Sequence, residues 1–170
     1  MRDLFNQFLQ LQIDTTLIGM YMCEENSEDE HYFCTPVGAR IIGRLGVDGI
    51  HFCFIKGFDG MVFAVSPMPC GERYVEPVAK NFEDFLRVIL SCKNISPIEQ
   101  ISWMDKNRFG NLLRDDEEYI SQEQVQCLET IQNQLGIYPM ENPFGYVKEL
   151  QKGFDYDKIP FSEEYYEIIG

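Results

Sequence analysis

Between Gly38 and Asn94, three short apolar runs, each closed by glycine, proline or aspartate, lead straight into a strongly amphipathic segment. This succession constrains the fold more than any other stretch, because the hydrophobic period changes from two to 3.6 within one continuous unit. Ile50 to Ile55 (IHFCFI) reads as a strand buried on at least one face, with Ile50, Phe52 and Phe54 on the same side. Asp48-Gly49 before it is a favoured turn dipeptide, since glycine accepts positive φ. The short link Lys56 to Gly60 makes Met61 to Ser66 the hairpin partner of that strand. Gly38 to Ile42 predicts a further short strand, with Gly43 to Gly49 as a turn-rich connection. Pro67-Met68-Pro69 ends the pairing, and Pro77 inside Arg73 to Ala79 places that strand at a sheet edge, because proline donates no ladder hydrogen bond.

Asn81 is an N-cap for the segment that follows, with Glu83 and Asp84 at the positive helix end. Phe82, Phe85, Leu86, Ile89 and Leu90 recur on one face, and Arg87 and Lys93 lie near the C-terminal end. On either side the chain reads as helix or loop. Met1 to Gln12 carries a helical stripe of Leu4, Phe5, Phe8 and Leu9. Residues 13–23 are either its tail or a strand, and β-branched Thr15, Thr16 and Ile18 favour extended structure. Ser96-Pro97 starts a helix carrying Ile98, Ile101 and the sole tryptophan, Trp103. A short piece over about 105–114 ends in an acidic run. Ser121 and Gln124 have capping-box spacing ahead of Val125, Leu128, Ile131 and Leu135, with Gly136 as the stop. Asn142-Pro143 opens a last helix to about Gly153. The aromatic, acidic tail 154–170 either docks as a strap or stays loose.

These elements predict an α+β fold, with a curved mixed or antiparallel sheet flanked by N-terminal and C-terminal helices. A length of 170 residues fits one domain over 1–170. It comprises a core over about 38–95, a helical extension over about 96–153 and the tail. Six scattered cysteines, none in C-x-x-C spacing, fit reduced thiols in a cytoplasmic protein. The start MRDLFNQFLQLQ lacks the pattern of a signal peptide, and no apolar run reaches the ~18 residues of a membrane span.

The net charge of −14 excludes function classes. So acidic a surface repels phosphate backbones and anionic lipid heads, so neither nucleic acid nor a membrane is the expected partner. It attracts a basic protein, or simply keeps the chain soluble. Two places concentrate the charge: Glu24, Glu25, Glu28, Asp29 and Glu30 in one run, and Asp115, Asp116, Glu117 and Glu118 in another. Both are candidate partner-binding surfaces, and both also read as ordinary solvated loops.

Catalytic and metal signatures are missing from the sequence: no P-loop, Rossmann fingerprint, G-x-S-x-G or H-E-x-x-H occurs. His31 and Cys34 could make a metal corner only within a helix and with a second ligand pair, so no metal or cofactor is expected. His51, set between apolar neighbours, reads first as a structural histidine. The alternative is an enzyme using carboxylates or His51 in a pocket. A third possibility is a regulatory subunit of a stable complex.

The Gly49-Ile50-His51-Phe52 strand start, the glycine turn and the Met61 to Ser66 strand carry a family likeness. So does the junction at which Val78-Ala79 runs into Asn81-Phe82-x-x-Phe85-Leu86. Over about 38–95 the chain resembles the SMI1/KNR4 superfamily, also called the SUKH domain. The resemblance implies a non-enzymatic protein-binding module without catalytic residues. Bacterial members are often immunity proteins that neutralise a cognate toxin, so a basic toxin domain is the partner implied.

Overall fold

A computed structural model describes residues 3–23 and 31–170. The acidic run Glu24 to Glu30 lies outside the described residues. The order is α1 (Leu4–Leu9), a 3-10 turn (Thr15–Ile18), β1 (Tyr21–Met22), β2 (Ala39–Arg44), β3 (His51–Ile55), β4 (Val62–Val65) and β5 (Val75–Ala79). The helices α2 (Phe82–Cys92), α3 (Ser96–Gln100), α4 (Lys106–Glu117), α5 (Gln122–Leu135) and α6 (Pro143–Lys152) follow. A second 3-10 turn (Tyr156–Lys158) and α7 (Glu163–Ile169) complete the chain. Among the described residues no helix is long and apolar enough to cross a membrane.

The fold is α+β, and its sheet is wholly antiparallel, a meander in the order β1-β2-β3-β4-β5. Register shifts leave one extra residue in β2, Ile42 opposite Cys53-Phe52, and one in β5, Val78 opposite Val62-Phe63, and bend those two strands. The β2–β3 and β3–β4 turns each use an Asp-Gly pair with positive φ at both residues, Asp48-Gly49 and Asp59-Gly60. Gly43 is required by close approach: a Cβ there would stand 2.7 Å from Met20 Cγ. Strand β2 therefore runs past Ile42 to Arg44 and pairs with β1 on its outer side.

Asn81 caps α2 as its sequence implies, its side chain accepting from the Asp84 amide at 2.8 Å. The apolar stripe of α2 buries Phe85, Leu86 and Ile89 against Phe52, Val62, Ala64 and Val78 of the sheet. α1 closes this layer, with Phe5 and Phe8 edge-on to Phe82 at 5.0 and 5.5 Å. The expected edge position of Pro77 is found, in β5. α6 covers that edge: Gln151 donates to the Pro77 carbonyl at 3.3 Å. Tyr146 Oη accepts from the Lys80 amide at 2.8 Å and donates to Asp84 at 2.7 Å.

Other sequence expectations need correction as well. Residues 15–18 are not extended, because Asp14 accepts from both the amide and the hydroxyl of Thr16 and winds a 3-10 turn despite the β-branched pair. α4 does not stop at 114 but continues to Glu117, held by buried Phe109, which packs on Phe144 at 5.4 Å, and by half-buried Leu113. α6 is not the last helix, since α7 follows it.

The tail docks, which decides between its two readings. The sheet's other face presents Cys53, Ile55, Phe63, Val65 and Val75, and buried Ile159 joins them with Phe154, Tyr156, Phe161 and Tyr165 at its margin. Phe154 lies edge-on to Phe63 at 5.5 Å, and the Val37 amide donates to the Pro160 carbonyl at 2.8 Å. Arg73 stacks on the Tyr156 ring at 4.0 Å, while the Tyr156 hydroxyl donates to Glu76. An antiparallel sheet commonly leaves one face to water; here residues 154–165 and the 31–37 loop cover the second.

Candidate functional site

Of the two acidic runs, Asp115 to Glu118 is the one within the described residues. It forms the last turn and cap of α4 rather than a loop. Carboxylates are disfavoured there, because the carbonyl end of a helix carries partial negative charge, typically at a cost of ~0.3–1 kcal/mol per group. The chain tolerates this at one point: Lys93 reaches Glu117 at 2.6 Å. The Lys93 hydrogen bond and charge hold the Glu117 carboxyl below its ordinary value. Asp116 is pushed the other way, by partial burial and then by the charge of Asp115.

Lys93 sits where three helix ends meet. It is the C-cap of α2 in the left-handed region, φ 61°. Its carbonyl accepts from the Gln124 side chain at 2.8 Å. The capping-box reading of α5 is thus half fulfilled: Ser121 accepts from the Gln124 amide, but the Gln124 side chain reaches α2. Two adjoining clefts open around this joint, of about 370 and 620 Å³. Both are lined by Lys93, Glu117 and Ile120. Leu113, Asp116 and Tyr119 add to the first; Leu90, Val125, Leu128, Glu129 and Pro139 add to the second. Tyr119 is 83% exposed and Tyr138, next to Pro139, is 69% exposed. Sequence reasoning nominated the carboxylates but missed the apolar floor, whose residues come from separate helices.

His51 is fully buried, with Nδ1 2.8 Å from the Gly49 carbonyl and Nε2 3.2 Å from Thr35 Oγ1. A carbonyl only accepts, so Nδ1 carries a proton, while Nε2 bonds the Thr35 hydroxyl, which accepts from the Tyr32 amide at 2.8 Å. With Tyr32 stacked on its ring at 5.8 Å, His51 pins the 31–35 loop to the start of β3, the structural role expected first. His31 is exposed while Cys34 is buried, its thiol pushed up to about 11 by desolvation. Among the described residues no group of three or more His, Cys, Asp or Glu gathers to hold a metal. Cys53, Cys92 and Cys127 are buried too.

Away from that joint, Glu76 and Glu99 line a small cavity of about 10 Å³ with Ser66 and Ser102, room for one water molecule. Ser66 Oγ, on a side chain of a residue 5% exposed, has no partner among the described residues. Burial raises both carboxyls. At Glu99 the Asp48 charge adds to burial, while the Trp103 indole, near but outside hydrogen-bond geometry, offsets part of it. A carboxyl raised on folding binds its proton more tightly in the native state, so it costs stability as pH climbs above its ordinary value of 4.5. Glu99→Gln is therefore expected to raise the Tm at pH 7 and to flatten the loss of stability just above pH 4.5; thermal melts across pH check both, and an unchanged or lower Tm at pH 7 would contradict the assignment.

No protein-family model, curated protein or solved structure matches the chain significantly.

Proposed function

We propose that the chain is a non-enzymatic protein-binding module of SMI1/KNR4 type, acting in the cytoplasm as an immunity protein that neutralises a basic toxin domain. The observation that carries this reading is the joint at Lys93, where carboxylates rim an apolar cleft flanked by exposed tyrosines. Tyrosines in such a setting suit protein interfaces, since they bury much area for few torsions. The charge of −14 supports it, because complementary charge speeds encounter with a cationic protein and sets its orientation. The strand-to-helix junction at Val78-Ala79-x-Asn81-Phe82, with its likeness over 38–95, supports the family reading.

The test is capture of partners from the native host at low and at high salt. A basic protein is expected at low salt and is expected to be released at high salt, with growth inhibition by that protein relieved when this chain is co-expressed. Recovery of no partner at low salt would overturn the reading.

A further inference from the structure

The two clefts at Lys93 share Lys93, Glu117 and Ile120, and the larger is a groove lined by a stripe of α5. Val125, Leu128, Glu129 and Gln132 are spaced i, i+3, i+4 and i+7 and run about 10 Å along the helix. Leu90, Ile120 and Pro139 line the groove from outside α5, together with Lys93 and Glu117. Among the lining residues, Asp116, Glu117 and Glu129 are acids and Lys93 is the one base, already engaged by Glu117. The negative end of α4 adds to the field at this point. We propose that this groove takes an amphipathic helix of a protein partner, with leucine- or isoleucine-sized anchors on one face and lysine or arginine along its flanks. The inference rests on the binding-module reading above and names the element recognised.

The chemistry selects this occupant over others. Helix ends and helix faces border the groove, so an extended peptide would find no ladder for its amides and carbonyls. A helix satisfies its own backbone and presents anchors at i, i+3, i+4 and i+7. A second copy of this chain would set its own acids against Glu117 and Glu129, which repel it. Cationic flanks on the partner answer the carboxylates that the C-terminal turn of α4 holds against its dipole. Tyr119 and Tyr138 supply exposed rings on which arginine stacks.

The experiment titrates the full chain with a synthetic lysine/leucine helix of roughly 18 residues, about 27 Å long. The controls are a scrambled peptide of the same composition that lacks a leucine face, and a glutamate/leucine peptide. Backbone amide shifts on binding should centre on Ile120, Val125, Leu128 and Gln132. Scrambling should weaken affinity roughly tenfold or more, and so should Glu117→Lys with Glu129→Lys. Equal affinity for the scrambled peptide, or shifts spread over the acidic surface, would overturn the proposal. The same double variant separates this inference from the function it rests on. If it still captures the native partner from the host, the groove assignment fails and the binding module stands; if the wild type captures none, the module reading itself fails.

Discussion

Replacing Phe85 with alanine should cost about 3–5 kcal/mol, the range for emptying a fully buried aromatic site. Phe85 has no exposed surface and stands at the centre of the layer between α2 and the sheet, 5.2 Å from the Phe52 ring and 6.0 Å from Phe82. Its neighbours come from a strand and from its own helix, so no flexible loop can move in to fill the space. A domain of this kind is held by only ~5–15 kcal/mol, so the variant should populate unfolded chain at temperatures where the wild type is intact. Denaturant melts should show a lower midpoint with an unchanged slope. Phe85→Leu, which keeps most of the volume, should cost less than about 1.5 kcal/mol. Two variants with equal melts would remove α2 from the role given to it.

The second large effect belongs to the tail. Cutting the chain after Gly153 removes Phe154, Tyr156, Ile159, Phe161 and Tyr165 and opens the face carrying Ile55, Phe63, Val65 and Val75 to water. At roughly 1.5–3 kcal/mol for each large side chain buried, the loss amounts to several kcal/mol. The bared face should then bind a hydrophobic dye or aggregate. Because the truncated chain is expected to be hard to keep in solution, Ile159→Ala gives a second reading of the same contact. Ile159 is 4% exposed, and its truncation should cost about 2–5 kcal/mol by denaturant midpoint. A midpoint equal to the wild type would mean the tail lies on the sheet without stabilising it.

Local chemistry made part of this molecule legible. The cap at Asn81 and the 3.6-residue stripe after it specify α2 without help from the rest of the chain, and the Asp-Gly turns specify the hairpin. Pro77 marks the edge strand for the same reason, since a missing amide is a property of the residue itself. At 15–18 a side-chain cap outweighs β propensity, and its mark in the sequence is Asp14 two residues before Thr16. α4 runs a turn beyond 114 because Phe109 and Leu113 pack well enough to carry the helix into the acidic run against its dipole.

Residue order by itself determined the α+β class, the central hairpin and its helix and the acidic surface, all of which follow from periodicity, turn chemistry and charge. Only the tertiary structure decided that the tail covers the sheet's second face, for its aromatics follow no period and are recognisable only beside Phe63 and Val65. It also decided where an acidic run becomes a groove. Lys93, Glu117, Val125 and Pro139 come from separate stretches of the chain, and packing of three helix ends, which no local pattern encodes, brings them to one place.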